Sequence, residues 1–221
     1  MRTISVISRK GGTGKTTISM HLAIRNHLAG QSVMLADIDP QLSSIESLKM
    51  RSVAGPTGSA SSGPKLFTLQ TAARKAGVET LVIDTPPGRE DDILPAISLS
   101  DLAVMVVRPT FLDLKAAALT ARMIQQLQRP GLIVLNQTPA CDDGVEQLQV
   151  KNALEALALL NLPIAPHYIR TRVEYQDALA AGCSVEELDA NGAAADEVRE
   201  VSAYIDRFMT VRSRNPLRAF A

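Results

Sequence analysis

Along the chain, short runs of consecutive apolar residues alternate with longer stretches in which apolar residues recur every three or four positions. Runs of the first kind suit strands buried on both faces, and stretches of the second kind suit amphipathic helices. The alternation therefore predicts βα units feeding a mostly parallel sheet. Strands are expected at residues 4–8, 32–37, 66–69, 80–84, 102–108, 132–136 and around 164–169. Helices are expected over 15–29, 112–127, 145–160, 173–181 and 193–209. The first of these stops at Gly30, since glycine accepts the left-handed conformation found just past a helix end. Residues 52–64 are rich in Gly, Ser, Ala and Pro without any period and read as a flexible loop. No internal repeat or second domain boundary is visible, so residues 1–221 read as a single α/β domain, a mostly parallel, doubly wound sheet with helices on both faces.

Composition sharpens this picture. With 46% hydrophobic and 21% charged residues in 221, the chain can bury a sizeable core, which excludes a disordered or collagen-like protein. The 23 basic and 23 acidic side chains cancel, so any attraction to nucleic acid must be local. Three Tyr, four Phe and no Trp, scattered along the chain, do not make a stacking platform for single strands. Cys141 and Cys183 match no metal or redox spacing and read as free thiols in a reducing compartment. His21, His27 and His167 have no ligand spacing and read as surface or packing residues. The N-terminus does not resemble a secretory signal and no apolar run approaches the ~20 residues of a membrane span, so a cytoplasmic protein is expected.

Directly after the first strand comes Lys10-Gly11-Gly12-Thr13-Gly14-Lys15-Thr16-Thr17, opening a helix. A phosphate cradle needs glycines that let backbone N–H groups wrap the oxygens, a helix N-terminus adding positive potential, and a lysine and a hydroxyl after the last glycine. Residues 10–17 supply all of these, and such a run arises by chance with a probability on the order of 10⁻⁴. The usual spacing G-x-x-x-x-G-K-[ST] asks for glycine where this chain has Arg9, so the loop is a variant carrying an additional lysine, Lys10. Lys10 is either a cation that reaches the phosphates of a neighbouring subunit, as trans-acting arginine fingers do, or a solvated loop charge. The first alternative implies an ATP-dependent dimer.

Segments 33–41 and 81–87 each end a buried strand with a carboxylate, at the sheet edge where open α/β proteins bind ligands. Asp84 is expected to hold Mg²⁺ through water, with the Thr16 hydroxyl as direct ligand, or else to open a plain turn before Pro86. Asp37 reads equally as a turn residue. Asp39 is the better candidate for orienting or deprotonating an attacking water, against the same turn role before Pro40.

The variant loop with Lys10, the Asp37-Ile38-Asp39-Pro40-Gln41 segment and the Asp84-Thr85-Pro86-Pro87 strand end resemble the ParA/MinD family of P-loop NTPases, in particular its short ParA-type partition proteins. The likeness covers nearly the whole chain and continues, less specifically, through residues 170–182, Ser184-Val185 and 193–201. It implies a MinD-like fold, ATP and Mg²⁺ as cofactors, and an ATP-sandwich homodimer in which Lys10 acts across the interface. Gly11, Gly12, Thr13, Gly14, Lys15, Thr16 and Thr17 would then surround the phosphates, with Thr16 and Asp84 at the metal and Lys10, Lys15 and Asp39 in hydrolysis. Asn136 matches the position that contacts adenine in such proteins, and reads equally as a turn-forming Asn before Pro139. Short relatives lack an N-terminal helix-turn-helix, and this chain opens directly on its first strand, which speaks against operator binding. The resemblance implies instead that the ATP-bound dimer binds DNA without sequence preference, associates with the nucleoid, and is stimulated to hydrolyse by a cargo-bound ParB-like partner.

One alternative is a metabolic or electron-transfer ATPase of the same superfamily, which would need paired cysteines or a substrate domain, and neither is visible in the sequence. The main rival within the family is membrane binding through a C-terminal amphipathic helix. Between Arg199 and Ala221, five arginines against Glu200 and Asp206 leave +3, and Pro216 interrupts the last residues, so DNA is favoured over membrane and 210–221 reads as a basic tail. Arg170, Arg172, Arg199 and Arg207 are the candidate DNA contacts, each reading also as a solvated surface charge.

Overall fold

The computed structural model describes residues 1–88 and 90–214, the last two through their backbone alone. The strands are β1 (Arg2–Ile7), β2 (Val33–Asp37), β3 (Thr57–Ala60), β4 (Thr80–Asp84), β5 (Leu102–Val107) and β6 (Gly131–Leu135). The helices are α1 (Lys15–Leu28), α2 (Ser43–Lys49), α3 (Leu66–Lys75), α4 (Glu90–Leu99), α5 (Phe111–Gln126), α6 (Leu148–Ala158), α7 (Glu174–Ala181), α8 (Val185–Leu188) and α9 (Ala193–Arg214). All strand pairs are parallel, in the order β3-β2-β4-β1-β5-β6.

Period-two alternation within each apolar run divides the core in two. Ile4 and Val6 of β1, Val104 and Val106 of β5, and Leu132 and Val134 of β6 point to one face, where α1, α7, α8 and α9 cover them. Ile7, Met105, Val107, Ile133 and Leu135 point to the other, beneath α4, α5 and α6. Ala36, Ile38, Leu81 and Ile83 extend that second face toward α3. Each Ile or Leu fully withdrawn from water contributes roughly 1.5–3 kcal/mol, so the continuous apolar runs are what hold the sheet between its helix layers.

Two expectations from the sequence need correction. Residues 66–69, expected as a strand, open helix α3, because Leu66 and Ala73 lie on one helical face and are buried while Phe67 and Thr68 are exposed. The sheet's edge strand is instead β3, inside the 52–64 segment expected to be a flexible loop. Its register runs from Met34 opposite Thr57 to Asp37 opposite Ala60. As an edge strand it buries little, so it carries no apolar signature. A Cβ at Gly58 would lie 3.0 Å from Ile45 Cδ1, so the small residue is what lets α2 close over it.

Around residues 164–169 the chain follows the β6 edge through single bridges rather than a regular strand, with Ala165 N–H donating to Ile133 O at 2.8 Å and Ile169 N–H to Leu135 O at 3.1 Å. Of the expected basic tail, residues 210–214 continue α9, and 215–221, including Arg218, lie outside the described residues.

Strand order reverses beside β1: the chain first moves to β2 on one side, then crosses from β4 to β5 on the other. Open sheets bind ligands at such switch points, beyond the carboxyl ends of the strands. The β1–α1 turn sits there.

Candidate nucleotide site

The β1–α1 turn is residues 8–14. Gly12 and Gly14 take φ of +72° and +87°, left-handed values that side chains resist. At Gly14 a Cβ would also lie 2.0 Å from the Asn136 amide nitrogen. Helix α1 then starts at Lys15 with no side-chain cap and no acidic residue in its first turn, so its free N–H groups face the loop. Two side chains beyond the end of β6 hold the turn in shape. Asn136 Nδ2 donates to Thr13 O at 2.6 Å, and Gln137 Nε2 donates to Gly12 O at 3.0 Å. Asn136 is buried and braces the phosphate loop in this structure.

The two lysines diverge. Lys15 is buried, its Nζ donating to Lys10 O at 3.2 Å. Burial lowers its pKa, opposed by the nearby charges of Asp84 and Asp39. Lys10 lies at the loop's rim, half-buried, and its ammonium makes no salt bridge among the described residues.

Asp84 ends β4, wholly buried, and accepts hydrogen bonds from Thr16 Oγ1 at 2.8 Å and Ser19 Oγ at 3.1 Å. Burial first, then the charge of Asp37, its register partner on β2, push its pKa up to about 7. A buried carboxylate beside a second one, with Lys15 as the nearby cation and a hydroxyl directly against it, fits a divalent cation bound alongside phosphates.

Asp37 is buried, and both of its oxygens accept hydrogen bonds from the turn that follows. Its Oδ2 accepts from Ser44 N–H at 3.0 Å and Ser44 Oγ at 2.7 Å, and its Oδ1 accepts from Asp39 N–H at 2.9 Å. It fixes the turn that presents Asp39. Asp39 accepts from Gln41 N–H at 3.0 Å and borders a cavity of about 360 Å³ shared with Ser61, Ser62 and Lys65. Larger cavities, of about 550 and 620 Å³, open at the opposite end of the sheet around Met1 and Arg2, far from these groups.

Thr17 is half-buried, and its carbonyl accepts from His21 Nδ1 at 2.7 Å while His21 Nε2 accepts from Val185 N–H at 3.2 Å. Those two bonds fix the Nδ1–H tautomer. Burial lowers the His21 pKa to about 4, so the ring is neutral. Thr13 is buried and its hydroxyl has no partner among the described residues.

The four candidate arginines lie apart from this loop. Arg170 pairs with both oxygens of Glu146 at 2.8 Å, and Arg172 Nε donates to Glu197 at 2.8 Å. Arg199 pairs with Asp196 and lies 3.7 Å from Glu186. Arg207 is exposed and stacks 5.9 Å over the Tyr204 ring.

Sequence reasoning missed Gln137, Ser19, Ser44 and Arg108, the last lying directly after β5 and facing Gly12. The argument that selected Asp84, a polar residue closing an apolar run, applies equally to Arg108.

An all-parallel doubly wound sheet with a glycine-rich turn and lysine at the start of α1, and a carboxylate ending the neighbouring strand, defines a phosphate-binding nucleotide protein. Residues 4–200 match the family model described as the CobQ/CobB/MinD/ParA nucleotide binding domain, and the chain belongs to that family, whose ParA/MinD members are ATPases. It is thus an ATP hydrolase. It is 30% identical over 212 residues to "Maintenance of carboxysome distribution protein A" of Halothiobacillus neapolitanus, covering 90% of this chain and 94% of that protein. Among solved structures, apo McdA of Cyanothece superposes with a TM-score of 0.77 at 17% identity, covering 93% of this chain and 99% of that one. The septum site-determining protein MinD of Pyrococcus horikoshii, complexed with Mg-ADP, gives 0.76 at 16%, covering 96% and 98%. At those identities the likeness shows the fold. No described helix is long and apolar enough to cross a membrane.

Proposed function

We propose that this ATPase forms an ATP-dependent homodimer that binds DNA without sequence preference and, stimulated by a cargo-bound ParB-like partner, positions or segregates that cargo within the cytoplasm, in association with the nucleoid. The observation that carries the reading is the divergence of two lysines on one loop. Lys15 is turned inward onto the cradle, while Lys10 stands at the rim with no counter-ion among the described residues. A cation in that position has a second subunit's phosphates as its natural acceptor. The name of the Halothiobacillus relative, a distribution protein, supports positioning over metabolic chemistry.

In the bound state the N–H groups of residues 11–16 and the Lys15 ammonium hold the phosphates, with Gly12 and Gly14 allowing the close approach. Thr16 would hold Mg²⁺ directly, with Asp84 behind it through water; the ion supplies charge neutralisation on the phosphate oxygens. Asp39, on the loop fixed by Asp37, orients the attacking water or takes its proton. Asn136, which braces Thr13, is assigned the adenine contact. DNA contacts are assigned to Arg170, Arg172, Arg199 and Arg207, each doubled in a dimer, so that retention falls steeply with salt. Three of these four already carry carboxylate partners, which makes Arg207 the leading contact.

The test is retention on random-sequence duplex DNA at physiological salt with a non-hydrolysable ATP analogue or ADP, beside anionic liposomes. Retention with the analogue alone, lost in Lys10→Ala, is the expected outcome. Liposome binding without DNA retention, or equal behaviour with both nucleotides, overturns the reading.

A further inference from the structure

Arg108 follows β5 at the ligand end of the sheet, and the apolar run that carries it there exposes about a third of its side chain. Two of its three guanidinium nitrogens are committed. Nε and Nη2 donate to the two oxygens of Asp113, each at 3.2 Å. Asp113 is itself buried at the first turn of α5, where it also accepts from the Thr110 hydroxyl. Thr110 caps α5 by accepting from Asp113 N–H, and its own N–H donates to Arg108 O at 2.8 Å. The guanidinium is thus clamped by a fork whose base is in the core, an arrangement that fixes its plane at little further entropic cost.

The third nitrogen, Nη1, has no hydrogen bond among the described residues, and it faces the phosphate loop. A Cβ placed on Gly12 would lie 3.6 Å from it. Gly12 is exposed, and its carbonyl accepts from Gln137 Nε2 at 3.0 Å, so the stretch of loop nearest Arg108 is itself held in place. Arg108 and Asp113 together are neutral. What the pair offers the loop is therefore two aimed N–H donors rather than net charge, and a tetrahedral oxyanion at the loop's mouth is the acceptor that suits them. We propose that Arg108 is a phosphate-contacting residue of the nucleotide site, donating through Nη1 to a phosphate oxygen of the bound nucleotide, with Asp113 as the residue that aims it. This rests on the loop's binding ATP, and it adds a group that neither the loop motif nor the two acidic strand ends include.

The full-length chain is titrated with a fluorescent ATP derivative in Mg²⁺, as wild type, Lys15→Ala, Arg108→Ala and Arg108→Lys, and unlabelled ATP and adenosine are then used as competitors. Arg108→Ala is expected to weaken ATP binding about tenfold at a temperature where the variant is folded, and also to lower the unfolding temperature of the nucleotide-free protein, because the buried Asp113 carboxylate loses its partner. Arg108→Lys recovers only part, because an ammonium cannot keep both Asp113 bonds and reach Gly12 as well. Adenosine, which has no phosphate, competes equally well against wild type and variant. Arg108→Ala within twofold of wild type overturns the proposal, as does an equal loss for ATP and adenosine, which would mark a scaffold role. If Arg108→Ala does not fold, Arg108→Lys decides, a loss of threefold or more being required. A wild-type chain that binds no ATP refutes the nucleotide reading itself, a result distinct from any of these.

Discussion

The two lysines of the phosphate loop and the four candidate arginines on and before α7 and α9 differ in what their charges face. On the loop, Lys10 has no carboxylate partner among the described residues, and Lys15 is turned onto a backbone carbonyl, burial lowering its pKa against the opposing charges of Asp84 and Asp39. On the α7–α9 surface, Arg170, Arg172 and Arg199 are closed onto Glu146, Glu197 and Asp196. A lysine without a counter-ion is ready for an incoming anion, whereas a paired arginine must either give up its carboxylate or, as Arg108 does with Asp113, keep it and offer a remaining N–H. That distinction is written in pairing across long sequence separations, such as Arg172 with Glu197, and residue type alone does not carry it.

The largest effect that would break the comparison is on the loop. Lys15→Ala should abolish ATP binding, since nothing else in the buried cradle supplies an ammonium, and isothermal titration that still shows wild-type affinity would move the site elsewhere. Gly14→Ala should do the same by geometry: its methyl would meet the Asn136 amide at 2.0 Å, on a backbone with φ of +87°. Thermal unfolding should also show a cost of about 1–3 kcal/mol from the strained φ.

Next in size is a pH dependence seated in two buried groups near the loop. His21 has a folded pKa of about 4 against 6.5 unfolded. The unfolded chain therefore binds more protons between those values, and this group's contribution is complete above pH 6.5 and lost as pH falls toward 4, by roughly 3 kcal/mol. Asp84 works the other way, because its folded pKa is raised to about 7 and its contribution declines as pH rises from 3.8 to 7. The nucleotide-free wild type should show a shallow profile between pH 4 and 6.5 in urea unfolding. Changing His21 to Leu should tilt it so that stability falls with rising pH, and an unchanged slope would contradict the buried, neutral ring.

Much of this site was legible in the sequence because backbone requirements are local. Gly12, Gly14, Lys15 and Thr16 follow from one turn, and the buried strands follow from runs of Val, Ile and Leu. The edge strand β3 was not legible, since Thr57, Gly58, Ser59 and Ala60 pair through backbone and bury almost nothing. Helix α3 was misread for a related reason: Leu66, Phe67 and Leu69 are close enough together to pass for a buried strand, and only Leu66 of them is fully buried. His21 read as surface or packing, and its bridge from Thr17 O to Val185 N–H depends on helices 164 residues apart in sequence. The bracing of the loop by Asn136 and Gln137 was hidden likewise, because residues more than 120 positions apart meet only once the sheet is closed.

On the arginine surface, Arg170→Ala should lower stability by about 1–2 kcal/mol, less than the loss of a fully buried pair, because both partners remain partly exposed and water screens the stranded Glu146. Its effect on DNA retention should be smaller than that of Arg207→Ala. Abolition of DNA retention by Arg170→Ala, with an unchanged unfolding midpoint, would show that the Glu146 pair opens on binding and that the contrast with the loop is one of state rather than of structure.

The smallest expected effect separates the loop's two kinds of polar group. Thr13 is buried and its hydroxyl has no hydrogen-bond partner among the described residues, whereas its carbonyl accepts from Asn136 at 2.6 Å. Thr13→Val keeps the branched shape, removes the unpaired hydroxyl and leaves the carbonyl untouched, so the nucleotide-free protein should gain up to about 1 kcal/mol. ATP affinity should stay within a few-fold of wild type, because the backbone N–H groups and not this side chain line the cradle. Denaturant unfolding and ATP titration on the same variant measure both quantities. A loss of stability would mean that the hydroxyl is satisfied in solution, and the loop's polar groups would then all be engaged before any nucleotide arrives.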